Sequence, residues 1–64
     1  MIKINGESLD VAGVSIEKYL ADAGYDAKRV AVEINGDILP KSQYENTCFK
    51  DGDTVEVVSF VGGG

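Results

Sequence analysis

Two Asn-Gly pairs, Asn5-Gly6 and Asn35-Gly36, each sit between short runs of alternating apolar and polar residues. A two-residue type I′ hairpin loop needs positive φ at both central positions, and Asn-Gly meets that need well. Each pair therefore commits its flanks to two antiparallel strands. In the first hairpin Ile2 and Ile4 face one way and Lys3 and Asn5 the other; Glu7 to Val11 returns with Leu9 and Val11 inward. In the second, Val30, Val32 and Ile34 point inward, and Asp37 to Leu39 returns as far as Pro40, which cannot donate to a ladder and suits an edge.

Between the hairpins, Ser15 is an N-cap with Glu17 in the first turn, where the helix dipole favours an acid. Ile16, Tyr19, Leu20 and Ala23 recur at i, i+3, i+4 and i+7, and Gly24 suits the left-handed residue that ends a helix. The spacing predicts a helix over residues 15–23. Lys41 to Lys50 reads as irregular, with one helical turn and with Tyr44 and Phe49 covering the open end of the core. Asp51-Gly52-Asp53 is a turn, not a metal loop. Thr54 to Phe60 is a last strand with Val55 and Val57 inward. Two hairpins, a crossover helix and a fifth strand are consistent with a five-stranded mixed sheet carrying the helix across one face. The N- and C-terminal strands then lie side by side and parallel in the middle. This is the α+β architecture called the β-grasp, or ubiquitin-like, fold, with Ile2, Ile4, Leu9, Ile16, Leu20, Val30, Val32, Ile34, Leu39, Val55 and Val57 as its core.

Sixty-four residues make one small domain. A chain this short buries only about 60% of its unfolded surface, which leaves little room for an internal active site. The net charge of −5 argues against binding a nucleic-acid backbone and is compatible with docking on a basic protein surface. A single cysteine, Cys48, allows no internal disulfide, so a reducing, cytoplasmic setting is expected. No apolar run approaches the roughly 20 residues that cross a bilayer, and Met1-Ile2-Lys3-Ile4 lacks the apolar stretch of a signal peptide. Cys48 has no histidine to activate it anywhere in the chain and is read as a buried, inert thiol.

The ending Phe60-Val61-Gly62-Gly63-Gly64 is a poor way to finish a fold, because glycine loses most entropy on ordering. It is a good way to thread a carboxylate into another protein's narrow active site, since no Cβ blocks the approach. Residues 1–60 are accordingly expected to form the domain and residues 61–64 a flexible tail. Strand alternation puts Val58 and Phe60 on the face opposite the helix, beside Ala31 and Glu33 on the neighbouring strand. An exposed apolar patch beside the tail reads as a docking surface.

Arg29-Val30-Ala31-Val32-Glu33-Ile34-Asn35-Gly36-Asp37-Ile38-Leu39-Pro40-Lys41 resembles a segment of the thiamine-biosynthesis sulfur carrier proteins, the ThiS family. So does Lys50-Asp51-Gly52-Asp53-Thr54-Val55-Glu56-Val57-Val58 with the diglycine end. The resemblance covers nearly the whole chain and is strongest from Val30 to Gly64. Lys41 stands where the family often has arginine and Tyr44 where it often has tryptophan. The resemblance implies a carrier and not an enzyme. Gly64 would be adenylated by an activating enzyme of the ThiF type using ATP and magnesium, with no cofactor bound by the chain itself. Gly62 and Gly63 would thread that enzyme's active site. Sulfur from a cysteine desulfurase or a related persulfide would convert Gly64 to a thiocarboxylate, and a thiazole synthase of the ThiG type would receive it. Three alternatives stay open on the residues: a small subunit of molybdopterin synthase, a ubiquitin-like protein modifier, and an interaction domain with no tail chemistry.

Overall fold

The computed structural model describes residues 1–60. Chain order is β1 (Ile2–Ile4), β2 (Glu7–Leu9), α1 (Ile16–Asp22), a 3₁₀ turn (Ala27–Arg29), β3 (Val30–Ile34), β4 (Asp37–Leu39), a second 3₁₀ turn (Lys41–Gln43) and β5 (Thr54–Ser59). The strands form one sheet in the order β2-β1-β5-β3-β4. β1 and β5 pair in parallel, and the remaining neighbours are antiparallel. Both hairpin loops have positive φ at each central residue: 51° and 84° at Asn5-Gly6, 52° and 91° at Asn35-Gly36. No helix among the described residues is long and apolar enough to cross a membrane.

The helix begins where its cap lies. The Ser15 hydroxyl accepts the Lys18 amide at 3.1 Å, and Gly24 takes φ +86° just beyond Asp22 and Ala23. The stripe that the 3.6-residue repeat puts on one side of α1 supplies Ile16 and Leu20 to the core, where both are wholly buried. They join Ile2, Ile4, Val30, Val32, Val55 and Val57 from the three inner strands, with Tyr44 and Phe49 closing the open end as expected. Tyr19 meets Phe49 edge-on, with ring centroids 5.5 Å apart. Leu9, Ile34 and Leu39 pack against this core but stay partly exposed. The reason for Leu9 and Leu39 is position: β2 and β4 are the edges of the sheet, so each is covered on fewer sides.

Cys48 is exposed, contrary to the expectation of a buried thiol. The segment Thr47–Phe49 runs extended along the approach to α1. Ile16 donates to the Thr47 carbonyl at 2.9 Å, and Phe49 donates to the Val14 carbonyl at 3.0 Å. Successive side chains of an extended segment alternate in direction. Phe49 takes the inward direction, so Cys48 is turned out.

The side chain of Asn5 prolongs the parallel ladder. β1 ends at Ile4, but the Asn5 backbone still donates to Val55 at 2.9 Å. Its Nδ2 then donates to the Val57 carbonyl at 3.2 Å, and its Oδ1 accepts the Val57 amide at 2.8 Å. Asn35 acts on the antiparallel side of the same strand, its Oδ1 accepting the Thr54 amide at 2.9 Å where β5 begins. Both turn asparagines thus hold the central strand.

Candidate functional site

Pairing of β3 with β5 sets Val30 opposite Ser59, Ala31 opposite Val58, Val32 opposite Val57 and Glu33 opposite Glu56. Because Val30, Val32, Val55 and Val57 are buried under the helix, their neighbours Ala31, Glu33, Glu56 and Val58 share the uncovered face. Val58 is 55% exposed and Phe60, just past the end of β5, is 58% exposed; Ala31 and Glu33 beside them are half-buried. The structure therefore brings together Val58, Phe60, Ala31 and Glu33, the four residues singled out from strand alternation. Gly62, Gly63 and Gly64 lie outside the described residues.

Two more residues share this face: Ile38, not placed there from sequence, and Glu56, which strand alternation puts there but which is given no docking role. Ile38, 66% exposed, pairs with Glu33 across β3 and β4 and extends the apolar surface to the edge of the sheet. Glu56 stands directly opposite Glu33, an arrangement of like charges that costs stability. The ion pairs among the described residues lie elsewhere: Met1 amino group with Asp51, Lys18 with Asp22, and Arg29 with Asp26. The alternation of β4 already put Ile38 out when Leu39 was put in. The Glu33–Glu56 register is a cross-strand fact that strand patterns alone do not contain.

The face is thus apolar at Val58, Phe60 and Ile38 and negative at Glu33 and Glu56. That combination suits a partner surface with apolar pockets and a basic rim. Phe60 is tethered at its backbone, where its amide donates to the Arg29 carbonyl at 2.7 Å. The displaced titrations lie away from this face. The Tyr19 phenol is raised by burial, with Tyr25 and Glu7 adding to it, and Asp51 is lowered by the hydrogen bond and charge of the Met1 amino group. A cleft of about 270 Å³ lies at the opposite end of β5, lined by Ile34, Ile38, Leu39, Cys48 and Lys50 among others. Among the described residues no group of three or more His, Cys, Asp or Glu is arranged to hold a metal ion.

A mixed five-stranded sheet of this order with one helix across it defines the ubiquitin-like β-grasp class, here with an open face that runs to the end of the last strand. Residues 2–64 match the model of the ThiS family, and the chain belongs to that family. It is 33% identical over 64 residues to the sulfur carrier protein ThiS of Thermus thermophilus, covering the whole of both chains. It is 45% identical over 62 residues to a thiazole synthase of Paramagnetospirillum magneticum, a match that takes in 95% of this chain and 19% of that protein. The crystal structure of the thiamine biosynthesis protein ThiS from Geobacter metallireducens superposes with a TM-score of 0.77 at 34% identity, over 98% of this chain and 97% of that one.

Proposed function

We infer that this chain is a sulfur carrier of thiamine biosynthesis that acts as a protein cosubstrate, its Gly64 carboxylate taking up sulfur and passing it on. The observation that carries the reading is a family match over residues 2–64, which takes in both the open face and the three glycines. A carboxylate is a poor acyl donor, because its oxygen leaves badly and its charge repels nucleophiles. An activating enzyme of the ThiF type removes both obstacles by joining the Gly64 carboxylate to the AMP part of ATP and releasing pyrophosphate, with magnesium held by that enzyme. The terminal sulfur of a persulfide, drawn from a cysteine desulfurase, then attacks the Gly64 carbonyl carbon and AMP leaves. The bond formed is C–S; a second thiol then cleaves the persulfide's own S–S bond, carried over into the acyl disulfide, giving the Gly64 thiocarboxylate and a disulfide between the two thiol carriers. The thiazole synthase match of a carrier-like segment supports a thiazole synthase as the acceptor.

In this scheme Val58, Phe60, Ala31 and Glu33 dock the chain on its partners while Gly62 and Gly63 thread the active site. Any residue with a Cβ at Gly63 narrows the fit, and each added residue shifts the carboxylate by about 3.3–3.6 Å when extended. ATP–pyrophosphate exchange with the activating enzyme tests the scheme. The native chain is expected to support exchange, and the chain lacking Gly64 to support none while keeping its fold. Val58→Asp should raise the KM for the carrier and leave the fold intact. Exchange at the native rate without Gly64 would leave the interaction-domain alternative in front.

A further inference from the structure

Lys41 is the first residue of the 3₁₀ turn after Pro40, and all three N–H bonds of its ammonium have acceptors. Nζ donates to the carbonyls of Ala27 at 3.1 Å, Lys28 at 3.0 Å and Val30 at 2.9 Å. These carbonyls belong to the turn and strand start where a short helix leaves its last acceptors unpaired. The intervening carbonyl, Arg29, takes the Phe60 amide. Lys41 and Phe60 together therefore donate to four successive carbonyls, from Ala27 to Val30, the last of which also accepts the Tyr44 hydroxyl at 3.4 Å. The same ammonium lies 5.7 Å from the centroid of the Phe60 ring, within the roughly 6 Å over which a cation is drawn to an aromatic face.

Phe60 is otherwise poorly held. More than half of it is exposed, and it follows the last residue of β5. Its amide fixes the backbone but leaves the ring free to turn about its side-chain bonds. Lys41 itself cannot turn away without losing three hydrogen bonds. A long, ordinarily mobile side chain has thus been pinned to the backbone with its charge beside the ring.

We propose that Lys41 is a positioning residue, which holds the Phe60 ring in the orientation that meets the activating enzyme. The inference rests on the docking role given to Phe60 above. Lys41 acts through the ring and not by touching the partner, so its effect must vanish when the ring is absent. It should also fall on docking and not on the chemistry at Gly64.

The test is a double-mutant cycle on the full chain, read by ATP–pyrophosphate exchange with the activating enzyme and by thermal melting. Lys41→Met should raise the KM for the carrier about fivefold, the size of an exposed ammonium–ring contact, with kcat little changed. In a Phe60→Leu background the same substitution should change KM by less than about twofold, as a shared interaction requires. Lys41→Arg, which keeps a cation able to stack on the ring, should return KM to within about twofold of native. Lys41→Gln keeps two N–H donors for the carbonyls but no charge. It should fold and still show the raised KM, which preserves the test if Lys41→Met fails to fold. The Phe60 ring proton resonances should shift in Lys41→Gln. An equal KM penalty in both backgrounds would overturn the inference, as would an unmoved Phe60 resonance or a native KM in Lys41→Gln. Absence of exchange by the folded native chain would instead overturn the carrier reading itself.

Discussion

Phe49 is 2% exposed and Phe60 is 58% exposed, and truncating each should separate stability from binding. Phe49→Ala removes the ring that closes the core against Tyr19 and should cost about 3–5 kcal/mol in chemical denaturation. Phe60→Ala should cost less than about 0.5 kcal/mol, as exposed positions usually do, while weakening binding to the activating enzyme. A loss at Phe60 as large as that at Phe49, with affinity intact, would make Phe60 a core residue. Tyr19 adds a pH dependence. Its phenol is raised above the ordinary value near 10 by burial first, then by Tyr25 and Glu7. The folded state therefore binds the proton more tightly than the unfolded state. That contribution is complete below the unfolded value and is lost as pH rises through the folded one. Denaturation from pH 8 to pH 11 should show the native chain losing stability on the alkaline side more steeply than Tyr19→Phe. Parallel curves for the two chains would show that Tyr19 carries none of the alkaline loss of stability.

At the scale of elements, the two asparagine turns make different demands. Asn5 gives both side-chain atoms to Val57 at partly buried positions, while the Asn35 bonds to Thr54 and Asp53 are exposed. Asn5→Ala loses two hydrogen bonds and places alanine at φ 51°, and should cost about 2–3 kcal/mol. Asn35→Ala meets the same backbone penalty at φ 52° but loses only exposed hydrogen bonds that water replaces, so it should cost about 1–2 kcal/mol, less than Asn5→Ala. Equal costs in urea titrations would show that the ladder extension at Val57 contributes nothing. The turns themselves were legible in the sequence, because Asn-Gly acts through local backbone preference. So were Ser15 and Gly24 at the ends of α1, and the inward set of the three inner strands. What was not legible depended on who stands opposite whom. The side-chain bonds of Asn5 to Val57 span 52 residues, and the Glu33–Glu56 pairing depends on the β3–β5 register. Cys48 was misplaced for the same reason: its direction follows from Phe49 beside it, which the tertiary core pulls inward.

For the whole molecule, the sheet has one face under α1 and one open, and β5, which ends at Ser59 just before Phe60, runs through its centre. The placement of Val58 and Phe60 on the open face was legible from a period of two. The expected flexibility of residues 61–64 lies outside the described residues. The carrier reading joins that rigid body to the chemistry proposed at Gly64, and the mass of the product tests the join most directly. The native chain should be incubated with the activating enzyme, ATP, magnesium and a persulfide source, then weighed intact. The expected gain equals replacement of one carboxylate oxygen by sulfur; it should be lost again when a thiazole synthase and its substrates are added, and be absent in the chain lacking Gly64. An unchanged mass in the native chain, or a mass showing Gly64 joined through an amide to another protein, would contradict it.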